Sequence, residues 1–141
     1  MSGPIVFISH FRVKPGALDG FGRLSREVIS AIETEKPRTI AFLTYLDAAR
    51  EGVSFVHLFA DAGSMDVHLE GGDDRARAAF EFIEPDGWEI YGSPSGTAVE
   101  AIRRAAERAG VTLRLRPELL GGFLRRSRTA RAEARTDIGD L

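Results

Sequence analysis

The order of strand-like and helix-like segments along residues 4–91 limits the possible folds more than any other feature of this sequence. An apolar stripe with helical spacing predicts a helix that ends at about Glu35, and shorter helical stretches follow between residues 62 and 83. Runs rich in β-branched and aromatic residues predict strands at 4–13, 38–47, 53–60 and 88–91. The order β-α-β-β-α-β predicts an α+β fold, a ferredoxin-like split βαβ unit whose antiparallel sheet carries its helices on one face.

Capping and turn residues predict where the elements begin. Asp61 is placed to cap one short helix, and Asp73-Asp74 to cap the next. Thr97 and Glu100 have the S/T-x-x-E spacing of a capping box, which predicts the start of a further helix. Pro85-Asp86-Gly87 predicts a turn before the short fourth strand.

The chain divides into three segments. Residues 1–92 hold the predicted ferredoxin-like domain, and residues 93–124 hold a C-terminal extension of one helix and one strand. The sequence leaves open whether the strand of the extension pairs within its own subunit or with a partner. Residues 125–141 are rich in arginine and have little to bury, so they are predicted to be disordered.

The face of the predicted sheet that carries no helix still holds apolar residues. An exposed apolar sheet surface is normally covered, and a second copy of the same chain is the simplest cover. We therefore expect a homodimer.

Composition excludes several classes of function. The 141 residues include no cysteine, which excludes disulfides, a cysteine nucleophile and cysteine-held zinc or iron–sulfur sites. No apolar run reaches the ~18–20 residues of a membrane span and the first residues lack a basic signal-peptide start, so a cytoplasmic protein is expected. Residues 101–141 carry ten arginines against five acidic residues. A solvated helix face and a tail are the expected explanation, and a basic arm that binds nucleic acid or an acidic protein is the alternative. No zinc-finger, RNP or helix-turn-helix pattern supports binding of nucleic acid.

The three histidines are candidate site residues because histidine changes its charge nearest neutral pH and serves as a base or a metal ligand. His10 and His57 lie within predicted strands, and His68 lies on a short helix. Either strand histidine could instead be a hydrogen-bonded interior residue. The spacing of the three matches no recognised metal pattern, so no metal site is predicted.

Aromatic residues form the second candidate group. Trp88, Tyr91 and Tyr45 combine apolar rings with hydrogen-bonding tips, which suits a small-molecule pocket as well as a core. The glycine-containing loop 92–96 matches neither common phosphate-binding pattern, and the G-x-S-x-G elbow of many serine hydrolases does not occur.

Several short runs resemble the antibiotic-biosynthesis monooxygenase (ABM) family. Residues 11–16, FRVKPG, are similar to the strand, Lys-Pro-Gly and helix with which that family opens. The passage 33–42 resembles its helix-to-strand connection, and residues 59–69 resemble its third strand leading into a helix. The resemblance covers about residues 4–92 and implies the fold of that family, a ferredoxin-like dimeric α+β barrel.

The resemblance also implies a reaction. Some members oxidise polycyclic aromatic intermediates with molecular oxygen and without metal or flavin, and they hold the substrate between sheet and helices. It therefore implies a cofactor-independent monooxygenase of a small aromatic or quinol metabolite. His10 resembles the strand-one asparagine of the family, and His68 resembles a histidine common on its second helix, so either is expected to deprotonate a phenol. The expected substrate contacts are the remaining candidates, His57, Trp88, Tyr91 and Tyr45.

Alternatives remain open at this point. The chain could be a non-catalytic dimeric protein that binds a small molecule in the same pocket. The haem-degrading branch of the family is disfavoured because no histidine lies around Arg77-Ala78. A branch that processes sugar phosphates is not excluded.

Overall fold

The computed structural model of the chain describes residues 3–125. The elements are β1 (Ile5–Val13), α1 (Leu18–Glu35), β2 (Thr39–Leu46), β3 (Gly52–Phe59), α2 (Ala62–Leu69), α3 (Gly72–Ala79), β4 (Ile83–Tyr91), α4 (Gly96–Ala109) and β5 (Leu113–Arg116). The predicted α+β class is confirmed. Of the tail predicted to be disordered, all residues except Arg125 lie outside the described part of the chain.

The strands form one sheet in the order β2-β3-β1-β4-β5. The first four strands pair antiparallel, with Phe7 of β1 opposite His57 of β3 on one side and Ile90 of β4 on the other. This is the predicted split βαβ arrangement. The helix α4 then leads the chain back so that β5 pairs parallel to β4, with Leu113 opposite Trp88. The strand of the C-terminal extension therefore pairs within its own chain.

The two faces of the sheet differ in what covers them. Side chains that alternate along the strands place Ile5, Phe59 and Ile90 beneath the helices, where they are fully buried. The opposite side, here called the helix-free face, carries half-buried and exposed apolar side chains at its centre. They are Val6, Ile8, Val56, Leu58 and Leu43. Among residues 3–125, no helix is long and apolar enough to cross a membrane.

The predicted turn at residues 85–87 is wrong, because these residues lie inside β4. The pairing of β1 with β4 shifts between His10 and Phe11, which marks a bulge. Pro85 and Gly87 lie beside this shift, and Gly87 has a φ of 133°. A bulge tolerates proline and glycine because the regular hydrogen-bond ladder is interrupted there. The fourth strand therefore begins at Ile83, before these turn-forming residues, and not after them as predicted.

The predicted caps of α2 and α3 have different outcomes. The cap at Asp61 is confirmed, since its carboxylate accepts a hydrogen bond of 2.8 Å from the backbone N–H of Ser64. The cap at Asp73-Asp74 is wrong, because α3 begins directly after Gly71, whose φ is 77°, and both aspartates lie in its first turn.

The capping box predicted at Thr97 and Glu100 is also wrong, because the N-cap of α4 is Ser95. The Ser95 hydroxyl accepts a hydrogen bond of 3.1 Å from the N–H of Ala98 and donates one of 2.7 Å to Asp66. The cap thus also ties α4 to α2.

Replacing this cap should destabilise the fold. Ser95→Ala should lower the free energy of unfolding by about 1 kcal/mol, because the N–H of Ala98 loses its acceptor. Thr97→Ala is the matched control and should change it by less than about 0.5 kcal/mol. Urea denaturation followed by circular dichroism measures both, and equal losses would contradict the assignment of the cap.

Candidate functional site

The structure divides the six predicted site residues between the two faces of the sheet. Three lie on the helix-covered side, namely His57, His68 and Trp88. Three lie on the helix-free face, namely His10, Tyr45 and Tyr91. One bound molecule therefore cannot contact both His10 and His68, nor can one ring be held by both Trp88 and Tyr91.

A pair of buried imidazoles lies in the helix-covered interior. His57 of β3 and His68 of α2 are 6% and 3% exposed, and their ring centroids are 5.0 Å apart in an edge-to-face contact. The rings of Phe7, Phe42 and Phe59 lie within 6.0 Å of one or both imidazoles. We call this group the histidine pair and its aromatic shell. Trp88 borders the same interior from β4, opposite Ser9 of β1.

Hydrogen bonds orient both imidazoles. His57 Nδ1 lies 2.9 Å from the carbonyl oxygen of Phe7, which can only accept, so Nδ1 carries the proton. In the neutral ring, Nε2 of His57 then holds the lone pair. His68 Nδ1 lies 2.7 Å from the hydroxyl of Thr39, and either group can donate in this bond.

Two cations lie at the end of α2 that carries His68. Arg75 donates a hydrogen bond of 2.6 Å to the carbonyl oxygen of His68. Lys36 Nζ donates to the carbonyl oxygens of Val67 and Glu70 at 2.9 and 3.1 Å. Cations bound to the last carbonyls of a helix complement its dipole, so these contacts also anchor α2.

The surroundings keep both imidazoles neutral. Burial lowers the pKa of His57 to about 4, and the charge of Arg75 contributes to the shift. Burial lowers the pKa of His68 to about 3, with further contributions from His57, Arg75 and Lys36. The histidine pair therefore lies in an apolar interior with a positive potential, which disfavours a cation and favours an anion.

A different cluster lies on the helix-free face. His10 Nδ1 is 2.8 Å from the hydroxyl of Ser54, and His10 Nε2 is 2.5 Å from Glu89 Oε2. The phenol of Tyr91 donates a bond of 2.6 Å to Glu89 Oε1. The hydrogen bonds from His10 and Tyr91 lower the pKa of Glu89 below its usual range, so this carboxylate is ionised. We call Ser54, His10 and Glu89 the polar cluster.

A cleft of about 310 Å³ adjoins the polar cluster at the hairpin end of the sheet. His10, Ser54 and Tyr45 all line it, and Tyr45 lies opposite Ser54 across β2 and β3. Two residues of the predicted set, His10 and Tyr45, therefore share a cavity.

Sequence reasoning found the histidines but missed their partners. Thr39, Arg75, Ser54 and Glu89 were not singled out, because their contacts depend on strand register and on the position of α3. Period-two alternation could have placed Ser54 and His10 on one face if the register of β1 and β3 had been known.

No group of three or more histidine, aspartate or glutamate side chains within residues 3–125 is arranged to hold a metal ion. The sheet separates His10 from the other two histidines.

Known structures share this fold, although no sequence-family model and no curated protein sequence matches the chain. MupZ from Pseudomonas fluorescens superposes with a TM-score of 0.65 at 14% identity, over 89% of this chain and 91% of MupZ. SnoaB, a cofactor-independent oxygenase from Streptomyces nogalater, superposes with a TM-score of 0.56 at 12% identity, over 67% of this chain and 96% of SnoaB. A Caulobacter crescentus CB15 protein provisionally named an antibiotic biosynthesis monooxygenase gives 0.59 at 12% identity, over 67% and 92% of the two chains.

The fold is therefore that of the ferredoxin-like α+β proteins. Within that class it is the fold of the antibiotic biosynthesis monooxygenases, and the resemblance predicted from the sequence is confirmed at this level. The match to MupZ leaves about one ninth of this chain unaligned, which is less than the length of segment 93–125. The alignment with MupZ therefore extends into residues 93–125.

The histidine pair should make stability depend on pH. Both side chains have an ordinary pKa of 6.5, so the unfolded chain takes up protons below that pH that the folded chain does not bind. The free energy of unfolding should be fully retained above pH 6.5 and fall by about 1.4 kcal/mol per pH unit for each histidine as the pH drops toward 5. Urea denaturation between pH 7 and 5 measures this slope. His68→Gln should reduce the slope by the contribution of one proton, and an unchanged slope would contradict the assignment.

Proposed function

We propose that the protein is a cofactor-independent monooxygenase that oxidises a small phenolic or quinol metabolite with molecular oxygen. The observation that carries the proposal is the histidine pair, two neutral imidazoles in an aromatic shell beside Arg75 and Lys36. SnoaB, which is named as a cofactor-independent oxygenase, has the same fold and supports the proposal.

The aromatic shell favours a flat aromatic substrate. Rings pack best against other rings in edge-to-face or offset arrangements, which Phe42 and Phe59 provide around His68. A buried imidazole nitrogen then selects for a hydroxyl group, because an apolar ring would leave it without a hydrogen bond. A phenol or quinol satisfies both requirements.

The positive potential of the site favours the anion of such a substrate. The charges that oppose protonation of His68, those of Arg75 and Lys36, equally lower the pKa of a phenol bound there. We assign His68 as the group that accepts the phenolic proton and Thr39 as the residue that orients its ring. The phenolate formed in the same step lies beside the imidazolium and offsets the burial and the charges that otherwise disfavour it. Ionisation raises the electron density of the ring, and in an electron-rich phenol or quinol this favours electron transfer to oxygen.

The reaction balances without a further reductant. The phenolate ring carbon donates an electron pair to oxygen and forms a C–O bond. Loss of the ring hydrogen and cleavage of the O–O bond then give a quinone carbonyl and one water. The substrate supplies all the electrons, gains one oxygen atom and loses two hydrogens.

A substrate ring would reach the histidine pair from the side of the sheet on which α2 and α3 lie. No side chain of α3 is buried, and α3 joins α2 through Gly71. A segment with few buried contacts opens at lower free energy than the core, so local movement of α3 would admit substrate.

Removing the proposed base should abolish oxygen consumption. His68→Ala should lower the rate ~10²-fold or more with anthrones, naphthols or quinols and chelator-treated protein, because a general base contributes at least that much. Oxygen uptake above the spontaneous rate is the measurement. Uptake by His68→Ala equal to that of the unmodified chain would refute the role of His68. A ligand-induced rise of melting temperature without any uptake would favour the binding protein instead.

The positive potential can be tested with two arginines of α3. Arg75→Ala should move the pH profile of oxygen uptake to higher pH, since the bound phenol ionises less readily without the arginine. The rate at neutral pH should fall roughly tenfold for each pH unit by which the profile moves. Arg77→Ala is the matched control, because Arg77 pairs with Asp74 in solvent and should leave the profile unchanged. Identical profiles for both variants would contradict the electrostatic role of Arg75.

We also propose that the partner is a second copy of this chain, bound through the apolar centre of the helix-free face. Leu43 of the edge strand β2 is 47% exposed there, and the patch continues through Val56 and Leu58 of β3 to Val6 and Ile8 of β1. A continuous apolar patch on a sheet face is typical of an interface, and an isologous dimer covers both copies at once.

A charge placed in this patch should weaken the dimer. Leu43→Arg should shift the protein toward the monomer in sedimentation velocity, because the arginine would be desolvated at the interface. Ile29→Arg, which alters an exposed apolar residue on α1, is the control and should leave the dimer intact. A monomeric unmodified chain, or equal effects of both variants, would contradict this interface.

A further inference from the structure

We propose that the polar cluster on the helix-free face is a second catalytic site, a serine esterase centre in which Ser54 is the nucleophile, His10 the general base and Glu89 the positioning residue. The substrates are small, uncharged carboxylic esters. The site is separated from the histidine pair by the sheet, so the proposal is independent of the oxygenase function.

Each hydrogen bond of the polar cluster can be donated toward Glu89. Glu89 is ionised and can only accept, so His10 Nε2 carries the proton of the 2.5 Å bond between them. In the neutral ring, His10 Nδ1 then holds the lone pair and can accept the proton of the Ser54 hydroxyl, which lies 2.8 Å away. Serine, imidazole and carboxylate are therefore connected in the order that activates a serine hydroxyl.

The carboxylate is itself held in place. Tyr91 donates to Glu89 Oε1 at 2.6 Å, and Arg114 of β5 lies 3.9 Å from the same oxygen. These contacts leave Oε2 to orient His10. The Glu89 side chain is 20% exposed and that of His10 is 37% exposed, so solvent and substrate can reach the base.

Three strands assemble the cluster. Ser54 lies on β3 directly opposite His10 of the central strand β1, and Glu89 lies on β4 opposite the neighbouring Ile8. The β1–β4 register shifts between His10 and Phe11. A bulge next to an active site commonly changes the direction of a side chain. Here the bulge adjoins His10, the residue that links serine and carboxylate.

The adjoining cleft defines the substrate. Its volume of about 310 Å³ suits a short acyl or alkyl group, which the ring of Tyr45 can contact. Asp47 also lines it and would repel an anionic substrate, whereas Asp86, which lines it too, is paired with Arg12.

The polar cluster adjoins the apolar centre, since Glu89 lies opposite Ile8. The cleft opens at the hairpin end of the helix-free face, so substrate would reach Ser54 from that end and not across the proposed dimer interface.

The reaction follows two balanced steps. Ser54 Oγ attacks the ester carbonyl carbon while its proton passes to His10 Nδ1, and the leaving alkoxide takes that proton and departs as an alcohol. Water then attacks the acyl-serine with the same base, which releases a carboxylic acid and restores the Ser54 hydroxyl. Tyr45, which lines the cleft opposite Ser54, is the side chain placed to donate a hydrogen bond to the oxyanion.

Hydrolysis of 4-nitrophenyl acetate under anaerobic conditions tests the proposal without interference from oxygen chemistry. The unmodified chain should give a stoichiometric burst of 4-nitrophenolate followed by slower turnover. Ser54→Ala should abolish the burst, and His10→Gln should lower the acylation rate ~10²-fold or more. Ser30→Ala, at an exposed position of α1, is the control and should behave like the unmodified chain.

Glu89→Gln tests the positioning role separately. It should lower kcat with little change in KM, because it disturbs the orientation of His10 and not the cleft. Glu89→Asp, which keeps the charge, should restore part of kcat, and a purely structural role for Glu89 would give equal activity in both variants.

Covalent labelling makes the test independent of how the variants fold. A fluorophosphonate should label the unmodified chain at Ser54, as located by peptide mass spectrometry, and the adduct should form more slowly in His10→Gln. Labelling at another residue, no labelling, or hydrolysis that persists in Ser54→Ala would each overturn the proposal.

Discussion

The two-sided central strand β1 is the constraint on which the rest of the structure depends. Successive strand residues point to opposite faces, so Ile5 and Phe7 enter the core while Ile8 and His10 face the other way. Antiparallel ladders on both sides of β1 impose the same division on β3 and β4. A shift of one residue in the register would exchange the two sets of side chains. Such a shift is unfavourable because it would move the core residues to the opposite face and lose their burial.

This division gives the same residue type two different environments. His57 lies among aromatic rings, where desolvation disfavours its charged form. His10 lies between a hydroxyl and an ionised carboxylate at the border of a water-accessible cleft. Under the two proposals made above, the interior would take an apolar ring with a single acidic hydroxyl, and the opposite face would cleave a polar bond with water. The sheet lies between these two sets of residues and separates them.

Patterns among residues close together in the sequence predicted most of the fold. Contacts between residues far apart in the sequence could not be predicted from such patterns. The order of elements and the cap at Asp61 follow from neighbouring residues and were correct. Residues 85–87 were misread because their turn propensity is overridden by pairing with β1. The candidate histidines were found by residue type, but the partnership of His10 with Glu89 spans 79 positions and depends on a bulge. Nothing within a short window of sequence carries that information.

The strand β5 has a consequence for how the chain behaves at high concentration. An unpaired sheet edge is a template for pairing with other molecules, and proteins limit this with short, charged or proline-flanked edge strands. β5 has four residues, presents Arg114 and Arg116 to solvent, and is followed at once by Pro117. It thus covers the longer β4 with an edge that resists strand addition. The C-terminal extension therefore protects that edge of the sheet from strand addition, whereas no strand covers the opposite edge, β2, among the described residues.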